Sequence, residues 1–471
     1  MDLRPIEDPE VLAGYLTDAS NVRGHATGLF RPRSTEEVAA IVAHCQANRI
    51  PLTVTAGRTS TTAAAVPQGG WLLSMEGLGA IGAISEERAT AEAGVPLGAF
   101  QDAIEARGRL YPPDPTSRYE CTLGASIACN GSGARSFRYG PTRRWVEALT
   151  VVLPTGVTRR FSRGDAVPAD WPRMDWAVPR TKSSAGYEPP RDAVDLFVGQ
   201  EGTLGVITEA TVRLTDLPRC VVGLVAFFID RAAAVRFVEH ARDRARQADP
   251  LAPRAIEYVD RHCLDMVERA GVDVPASAAA ALFCEQEIGQ GGEEAHLDAW
   301  IEALAEHTPL VDDTLFADDE AGLARLRRLR HAIPAGINEQ IVRNGMPKVG
   351  TDLAVPDAGL AEIMDHYEAS PLPYVLFGHI GDNHLHLNLL PRTAAELALA
   401  RAFYDELARH AVALGGTVSA EHGIGKLKCE QLGWMVGPEV MARFRALKRH
   451  LDPAEVLGRG NVLGGPPATP V

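Results

Sequence analysis

The chain has 471 residues, and its 47 basic and 61 acidic side chains give a net charge of −14. The length predicts about two to four domains, and a content of 46% hydrophobic and 23% charged residues is typical of globular proteins. The acidic balance argues against a nucleic-acid-binding protein and against docking on an anionic membrane through a polybasic patch, because both need a basic surface.

The sequence pattern in the first part of the chain predicts an α+β region with many short strands. Ser34 stands before Glu36, Glu37 and an apolar run, which is the pattern of a helix N-cap. The predicted elements, in chain order, are a helix start near Pro9, a helix from Ser34 to Cys45, strands at Ile50–Val54, Trp71–Ser74 and Ala89–Ala93, a helix over Gly98–Arg107, and a strand-rich run over Trp145–Pro154.

Residues 162–190 are rich in proline, tryptophan and arginine and show no periodicity, so we expect a long surface excursion. The strand after Gly205 ends before Pro218, which we expect to mark the first domain boundary. Beyond it, alternating strands and helices predict a second α+β domain with an antiparallel sheet backed by helices. Its predicted elements are strands at Val221–Phe228, Ala281–Glu287 and Lys348–Pro356, and helices at Arg231–Ala248, Ala295–Glu306, Asp318–His331, Ala400–Leu414 and Pro438–Leu457.

Three stretches are crowded with small residues: Ala56–Ala65, Gly124–Gly133 and Gly199–Gly205. Such stretches let backbone amides approach a phosphate or a flat ring closely, although they are equally ordinary in glycine-rich turns. The sequence alone does not identify a ligand for them.

The segment from Phe377 to Asn388 concentrates histidines. Strand alternation puts His384, His386 and Asn388 on one face, and a turn at Gly381–Asn383 would let His379 converge with His386. Two converging imidazoles could form half of a metal site. A solvated strand face with ordinary histidines fits the spacing equally well.

Glu421 and His422 form a second polar cluster, in a glycine-flanked loop. Glu421 could add an oxygen ligand and His422 could act as a base, although this pattern alone is more typical of a solvated turn. Arg330 and Lys348 are candidate carboxylate-binding cations, although the charge run around Arg330 is typical of an exposed helix face. Lysine is scarce, with five among 47 basic residues, so each lysine is a candidate for a role that arginine cannot fill.

The chain contains seven cysteines at scattered spacings and no Cys-x-x-Cys pair. This pattern predicts reduced thiols in a cytoplasmic protein and argues against an iron–sulfur cluster or zinc ribbon. No secretory signal and no apolar run of membrane-spanning length is recognised.

Taken together, these segments resemble the FAD-linked dehydrogenases of D-2-hydroxy acids, a group that includes D-lactate, D-2-hydroxyglutarate and glycolate enzymes. The resemblance covers nearly the whole chain in order. It implies a vanillyl-alcohol-oxidase-type fold, with an FAD-binding domain at 1–218, a substrate- and metal-binding cap at 219–430, and a C-terminal segment, 431–471, that packs back on the FAD domain.

The resemblance also implies a flavin site, with the FAD held without a covalent bond because no histidine stands in a family-like attachment motif. The phosphate loop departs from the family pattern, since Ala56 and Arg58 replace glycines. The implied cofactor-binding residues are Ala56, Gly57, Arg58, Thr59, Ser60, Pro115, Thr122, Gly124, Ala125, Ile127, Asn130, Glu201, Gly202, Gly205 and Ile207.

By the same resemblance, His379, His386 and Glu421 would hold a divalent ion, zinc or manganese. His422 would be the proton acceptor, Asn388 would contact the substrate, and Arg330 and Lys348 would bind its carboxylate. Asn383 and His384 stand where the family usually has Gly and Asn, so His384 could join the site.

The implied reaction is oxidation of a D-2-hydroxy acid, D-lactate being the first choice, with hydride passing to the flavin. Electrons would leave to a separate acceptor such as a cytochrome, a quinone, an electron-transfer flavoprotein or oxygen. The expected location is the cytoplasm or, through that acceptor, the membrane surface. A metallohydrolase and a non-catalytic flavin- or metal-binding subunit remain alternatives.

Overall fold

A computed structural model describes residues 3–247, 250–288 and 293–465. The α-helices are α1 Pro9–Ala13, α2 Thr35–Asn48, α3 Leu97–Glu105, α4 Leu123–Cys129, α5 Ser136–Tyr139, α6 Arg231–Arg246, α7 Arg261–Arg269, α8 Glu293–His307, α9 Glu320–Asn344, α10 Leu360–Glu368, α11 Ala394–Ala413 and α12 Cys429–Leu451. The strands are β1 Gly28–Phe30, β2 Leu52–Thr55, β3 Trp71–Ser74, β4 Ile81–Ile84, β5 Arg88–Glu92, β6 Arg109–Leu110, β7 Val146–Val152, β8 Thr158–Ser162, β9 Val206–Arg213, β10 Thr215–Asp216, β11 Cys220–Phe228, β12 Pro253–Asp260, β13 Ala280–Ile288, β14 Leu315–Ala317, β15 Val349–Gly350, β16 Leu353–Ala354, β17 Tyr374–His379 and β18 His384–Leu389.

Three sheets form the N-terminal part. Parallel strands pair in the order β1-β3-β2, five antiparallel strands pair in the order β4-β5-β9-β7-β8, and the short strands β10 and β6 pair with each other. Helix α2 begins as the sequence predicts, because the Ser34 hydroxyl accepts a hydrogen bond from the Glu37 amide at 3.3 Å. The C-terminal segment returns to this part, where the Leu52 amide donates to the Val456 carbonyl at 2.8 Å.

The second part is built on one eight-stranded sheet in which every pair is antiparallel. Strand β11 is apolar on both faces: Leu224 and Ala226 pack into the core that α6 and α8 share, whereas Val225 and Phe227 pack under α7 and α9. A strand covered on both sides reads as a continuous apolar run because its side chains alternate between the two faces.

The predicted helices and strands are largely confirmed, with several differences. The expected surface excursion at 162–190 is found for most of the segment, which is exposed or half-buried, but the expectation was wrong for its end, where Ser184, Ala185 and Tyr187 are buried. Helix α11 begins at Ala394 and not at the predicted Ala400. The predicted strand Lys348–Pro356 is broken into β15 and β16, and helix α9 continues 13 residues past His331, through Pro334. The tail helix begins earlier than predicted, at Cys429, and ends at Leu451. Ala248, the predicted end of α6, lies outside the described residues.

Candidate active site

A cavity of about 560 Å³ lies between the three small-residue stretches of the N-terminal part. Ile127 and Asn130 do not line it: Ile127 is buried in the core, and Asn130 caps α4 with a left-handed backbone (φ 54°). The other residues predicted to bind the cofactor do line it; they are Ala56, Gly57, Arg58, Thr59, Ser60, Pro115, Thr122, Gly124, Ala125, Glu201, Gly202, Gly205 and Ile207.

Close backbone packing shapes the walls of this cavity. A Cβ added at Gly57 would lie 1.9 Å from the Glu120 carbonyl oxygen, and one added at Gly124 would lie 2.5 Å from the Ala93 Cβ. Arg58 takes the left-handed conformation (φ 56°) that glycine adopts most readily, and its guanidinium pairs with Glu76 at 2.8 Å. The loop therefore keeps its left-handed backbone turn although this position carries arginine in place of glycine.

The β17–β18 hairpin gathers three imidazoles on one face. His379 pairs with His384 across the hairpin, and His386 lies two residues further along β18. The turn is a short 3₁₀ segment, Ile380–Asp382, that closes at Asn383 in a left-handed conformation (φ 55°). This turn reverses the chain, so His379 and His386 share a face although they are an odd number of residues apart.

Glu421 completes this cluster from the loop after α11. One ligand atom from each of His379, His384, His386 and Glu421 lies within 4.8 Å of the others. The structure thus brings together the three predicted ligands and adds His384. Three imidazole nitrogens and a carboxylate form a donor set that suits zinc or another divalent transition metal.

Polar contacts orient each imidazole. His379 Nδ1 contacts Glu257, His386 Nδ1 lies 3.2 Å from the Thr351 carbonyl, and His384 Nε2 lies 3.0 Å from Asp352. The other ring nitrogen of each histidine faces a carboxylate oxygen of Glu421. The distances are 3.4 Å for His379, 3.8 Å for His386 and 3.9 Å for His384. This second layer of contacts resembles the one that fixes metal-binding histidines in other proteins.

Charges inside the cluster follow from burial and pairing. Burial alone would raise the pKa of Glu257, but Arg330 and His379 lower it to about 2. Burial likewise opposes a charged His379, yet Glu257 raises the pKa of His379 to about 9. Burial and the nearby Lys182 lower the pKa of His384 to about 4, so this ring is neutral and able to ligate a metal at neutral pH.

Asp352 is a buried acceptor that joins the metal-site loop to its neighbours. Its side chain accepts hydrogen bonds from the Lys428 ammonium at 2.6 Å, the Ser419 hydroxyl at 2.7 Å and the backbone amides of Glu421 and His422 at 3.1 Å each. The sequence analysis missed this role. Its only signal there is a single carboxylate in a mostly apolar strand pattern.

His422 lies where a proton acceptor could act. It lines the cavity together with Glu421, and its Nδ1 is 3.5 Å from Asp352. Its ring stacks on His386, with centroids 5.5 Å apart. Because Asp352 holds the Nδ1 side of the ring, Nε2 is the nitrogen that can receive a proton.

The predicted carboxylate-binding residues approach the cluster from two sides. Arg330 lies mid-way along α9, 3.3 Å from Glu257, while its neighbours Arg327 and Arg328 are exposed. Pro334 lacks the amide that would bond to the Arg330 carbonyl, which favours a kink in the helix at this point. Lys348 donates a hydrogen bond to Asn388 at 2.6 Å, and Asn388 lies on the same face of β18 as His386.

Comparison with known proteins identifies the family of the two parts of the chain. Residues 26–162 match the FAD binding domain, and residues 217–462 match the C-terminal domain of FAD linked oxidases. A D-2-hydroxyglutarate dehydrogenase of Xanthomonas citri is 33% identical over 92% of this chain and 88% of its own length. The glycolate oxidase subunit GlcD of Bacillus subtilis is 30% identical over 92% and 87%, and a D-lactate dehydrogenase of Anaerostipes hadrus is 29% identical over 98% and 94%.

Among solved structures, an alkyldihydroxyacetonephosphate synthase superimposes with a TM-score of 0.68 at 16% identity, covering 96% of this chain and 81% of that one. The expected vanillyl-alcohol-oxidase-type α+β fold is therefore confirmed. The fold and the cavity define an FAD-dependent oxidoreductase. The chain belongs to the family of FAD-linked oxidases. Within the described residues, no helix is long and apolar enough to cross a membrane.

The cavity fits this cofactor. Its volume lies within the roughly 300–1,000 Å³ of typical ligand pockets, and its walls combine small side chains with hydroxyl groups from Thr59, Ser60 and Thr122. Small walls leave room for a flat ring, and hydroxyl and amide groups can face phosphate oxygens.

Proposed function

We propose that this protein oxidises a small D-2-hydroxy acid to the corresponding 2-oxo acid, with D-lactate as the first choice of substrate. D-2-hydroxyglutarate and glycolate are the alternatives within the same reaction class, and all three acids or their enzymes appear in the names of the relatives. The observation that carries the proposal is one shared cavity. Glu421 and His422 line the same space as the segments of the FAD domain.

We propose that FAD binds this cavity non-covalently and that His379, His386 and Glu421, joined by His384, hold a zinc or manganese ion. The ion, when bound, lowers the pKa of a coordinated hydroxyl, and FAD, when bound, accepts the hydride. The four side chains fit an ion because their donor atoms already converge, and because His384 Nδ1, the ring nitrogen that faces Glu421, has no hydrogen-bond partner in the part of the chain that the structure describes.

The remaining roles follow from position. His422 Nε2 receives the hydroxyl proton, since Asp352 holds the opposite nitrogen. Arg330 and Lys348 bind the substrate carboxylate, and Asn388 contacts the substrate beside Lys348. Among the described residues, an ion pair joins Glu257 to Nη2 of Arg330 at 3.3 Å, and we assign Nη1 to the substrate carboxylate.

The reduced cofactor needs a separate oxidant, so the proposal includes an acceptor that visits the protein: a cytochrome, a quinone, an electron-transfer flavoprotein or oxygen. We place the reaction in the cytoplasm or at a membrane surface reached through that acceptor. This part of the proposal rests on the chemistry of flavin turnover.

The test is a panel of D- and L-2-hydroxy acids with an artificial electron acceptor, with and without a chelator. We expect a yellow protein that reduces the dye with a D-acid, and much less after chelation. Dye reduction that chelation leaves unchanged would refute the metal-assisted step. A colourless protein would instead favour a metallohydrolase, and a yellow protein inactive with every acid would favour a non-catalytic subunit.

A further inference from the structure

Lys182 is a buried cation that contacts both Glu421 of the proposed metal site and the turn of the histidine hairpin. Its side chain is 3% exposed, and its Nζ lies 3.0 Å from Glu421 Oε2 and 3.7 Å from Asp382. It belongs to the segment 162–190, which contains no helix or strand between β8 and its end. This segment therefore places one buried ammonium directly against the carboxylate of Glu421.

The two oxygens of Glu421 face different groups. Oε2 is contacted by Lys182, accepts a hydrogen bond from the Ser132 hydroxyl at 3.2 Å and lies 3.9 Å from His384 Nδ1. Oε1 faces imidazole Nε2 atoms at the shorter distances of 3.4 to 3.8 Å; these belong to His379, His386 and His422. Oε2 is thus held by Lys182 and Ser132, and Oε1 is the oxygen nearest to three of the four histidines.

We propose that Lys182 is a positioning residue that makes Glu421 a one-oxygen metal ligand. With Oε2 held by Lys182 and Ser132, Glu421 offers only Oε1 to an ion. A carboxylate that bound through both oxygens would take an extra coordination position. Catalytic metal sites keep such positions open for substrate. This inference rests on the metal site proposed above.

Lysine suits this task better than arginine. A guanidinium is a planar fork that binds both oxygens of a carboxylate, whereas an ammonium is a compact charge that can contact one. Lys182 is one of only five lysines among the 47 basic residues of the chain. At this position, arginine would compete with the ion for Oε1.

The test is metal titration of the protein freed of metal, using Co²⁺ as the probe and its visible spectrum as a report of coordination number. In Lys182→Met we expect Co²⁺ affinity to fall about 10–100-fold, the usual effect of removing a group that orients a ligand, and the spectrum to shift towards higher coordination. Lys182→Arg should not restore the wild-type spectrum. Lys426→Met is the matched control, because Lys426 is a partly buried lysine whose ammonium donates to Asn461 and to the backbone carbonyls of Ala63 and Ala64 instead of to the metal cluster.

A folded Lys182→Met protein with wild-type affinity and spectrum would overturn the inference. If this variant does not fold, Ser132→Ala replaces it, because it removes the other contact to Oε2. It must weaken Co²⁺ binding in the same direction, and unchanged binding would again overturn the inference. A wild-type protein that binds no Co²⁺ would refute the metal site itself, whereas wild-type binding with unchanged variants would refute only the role of Lys182.

Discussion

Replacing Asp352 with asparagine should damage both the stability and the turnover of the protein. The side chain is 1% exposed and accepts four hydrogen bonds, one of them from the buried ammonium of Lys428. Breaking a buried ion pair by removing one partner costs about 3–5 kcal/mol. Since Asp352 also holds His422, the loss of an oriented base should lower kcat by about 10²-fold or more.

Asp452→Asn is the matched control, because it removes a similar set of contacts away from the candidate active site. Asp452 is fully buried and accepts from the Lys448 ammonium and from the amides of Val456 and Leu457. Urea unfolding gives the stability of each variant, and dye reduction per bound FAD gives kcat. Both variants should lose similar stability, but only Asp352→Asn should lose kcat. Equal kcat losses in the two variants, or none in Asp352→Asn, would refute the assigned role of Asp352.

Three further predictions follow from local geometry. Gly124→Val should abolish FAD binding, measured by flavin absorbance of the purified protein, because even a Cβ would lie 2.5 Å from that of Ala93; retained flavin would contradict the wall assignment. Lys348→Met should raise KM for the acid by tenfold or more with a smaller change in kcat, since a charged contact to a ligand is worth roughly 1.5–3 kcal/mol; an unchanged KM would remove Lys348 from carboxylate binding. Burial lowers the pKa of Lys426 to about 8, so the folded protein loses this proton before the unfolded chain does, and the unfolded state binds more protons between pH 8 and about 10.4. The stability difference between wild type and Lys426→Met should therefore move in favour of wild type as pH rises through this window, measured by urea unfolding; a constant difference would contradict it.

The histidine hairpin shows what the sequence could supply. Alternation along β18 and a turn signal at Gly381–Asn383 showed how His379 and His386 could converge, because strand geometry fixes which side chains share a face, but a solvated strand face fitted the spacing equally well. Glu421 was harder to assign, since it lies 35 residues beyond His386 and only tertiary packing brings it within reach. The resemblance to a known family supplied that link.

One strand was missed because buried charges interrupt its apolar pattern, and the end of one helix was misplaced because of a proline. Strand β12 contains Arg254 and Glu257, which look exposed in sequence but are neutralised by partners on neighbouring strands, Arg254 by Glu285 at 2.8 Å. The end of α9 was predicted too early because a proline normally ends a helix, whereas here Ile333 and Ile337 pack under the sheet on both sides of Pro334 and the helix continues.

Lys182 was missed for a different reason. It stands in a segment without periodicity, where neither helical nor strand spacing predicts which side chains point inward. The only signal was the scarcity of lysine, and the structure gives it meaning. Each of the five lysines has a hydrogen-bond acceptor at 3.5 Å or less, and Lys182, Lys428 and Lys448 also pair with carboxylates.

The central claim is that the histidine–glutamate cluster and the FAD cavity work as one site. The most direct measurement is a single anaerobic turnover, in which bleaching of the flavin absorbance is followed after a D-2-hydroxy acid is added. We predict rapid bleaching in the protein loaded with a divalent ion, slow bleaching in the metal-free protein, and slow bleaching in His386→Ala with its FAD still bound. Equal bleaching rates with and without the ion would contradict the claim.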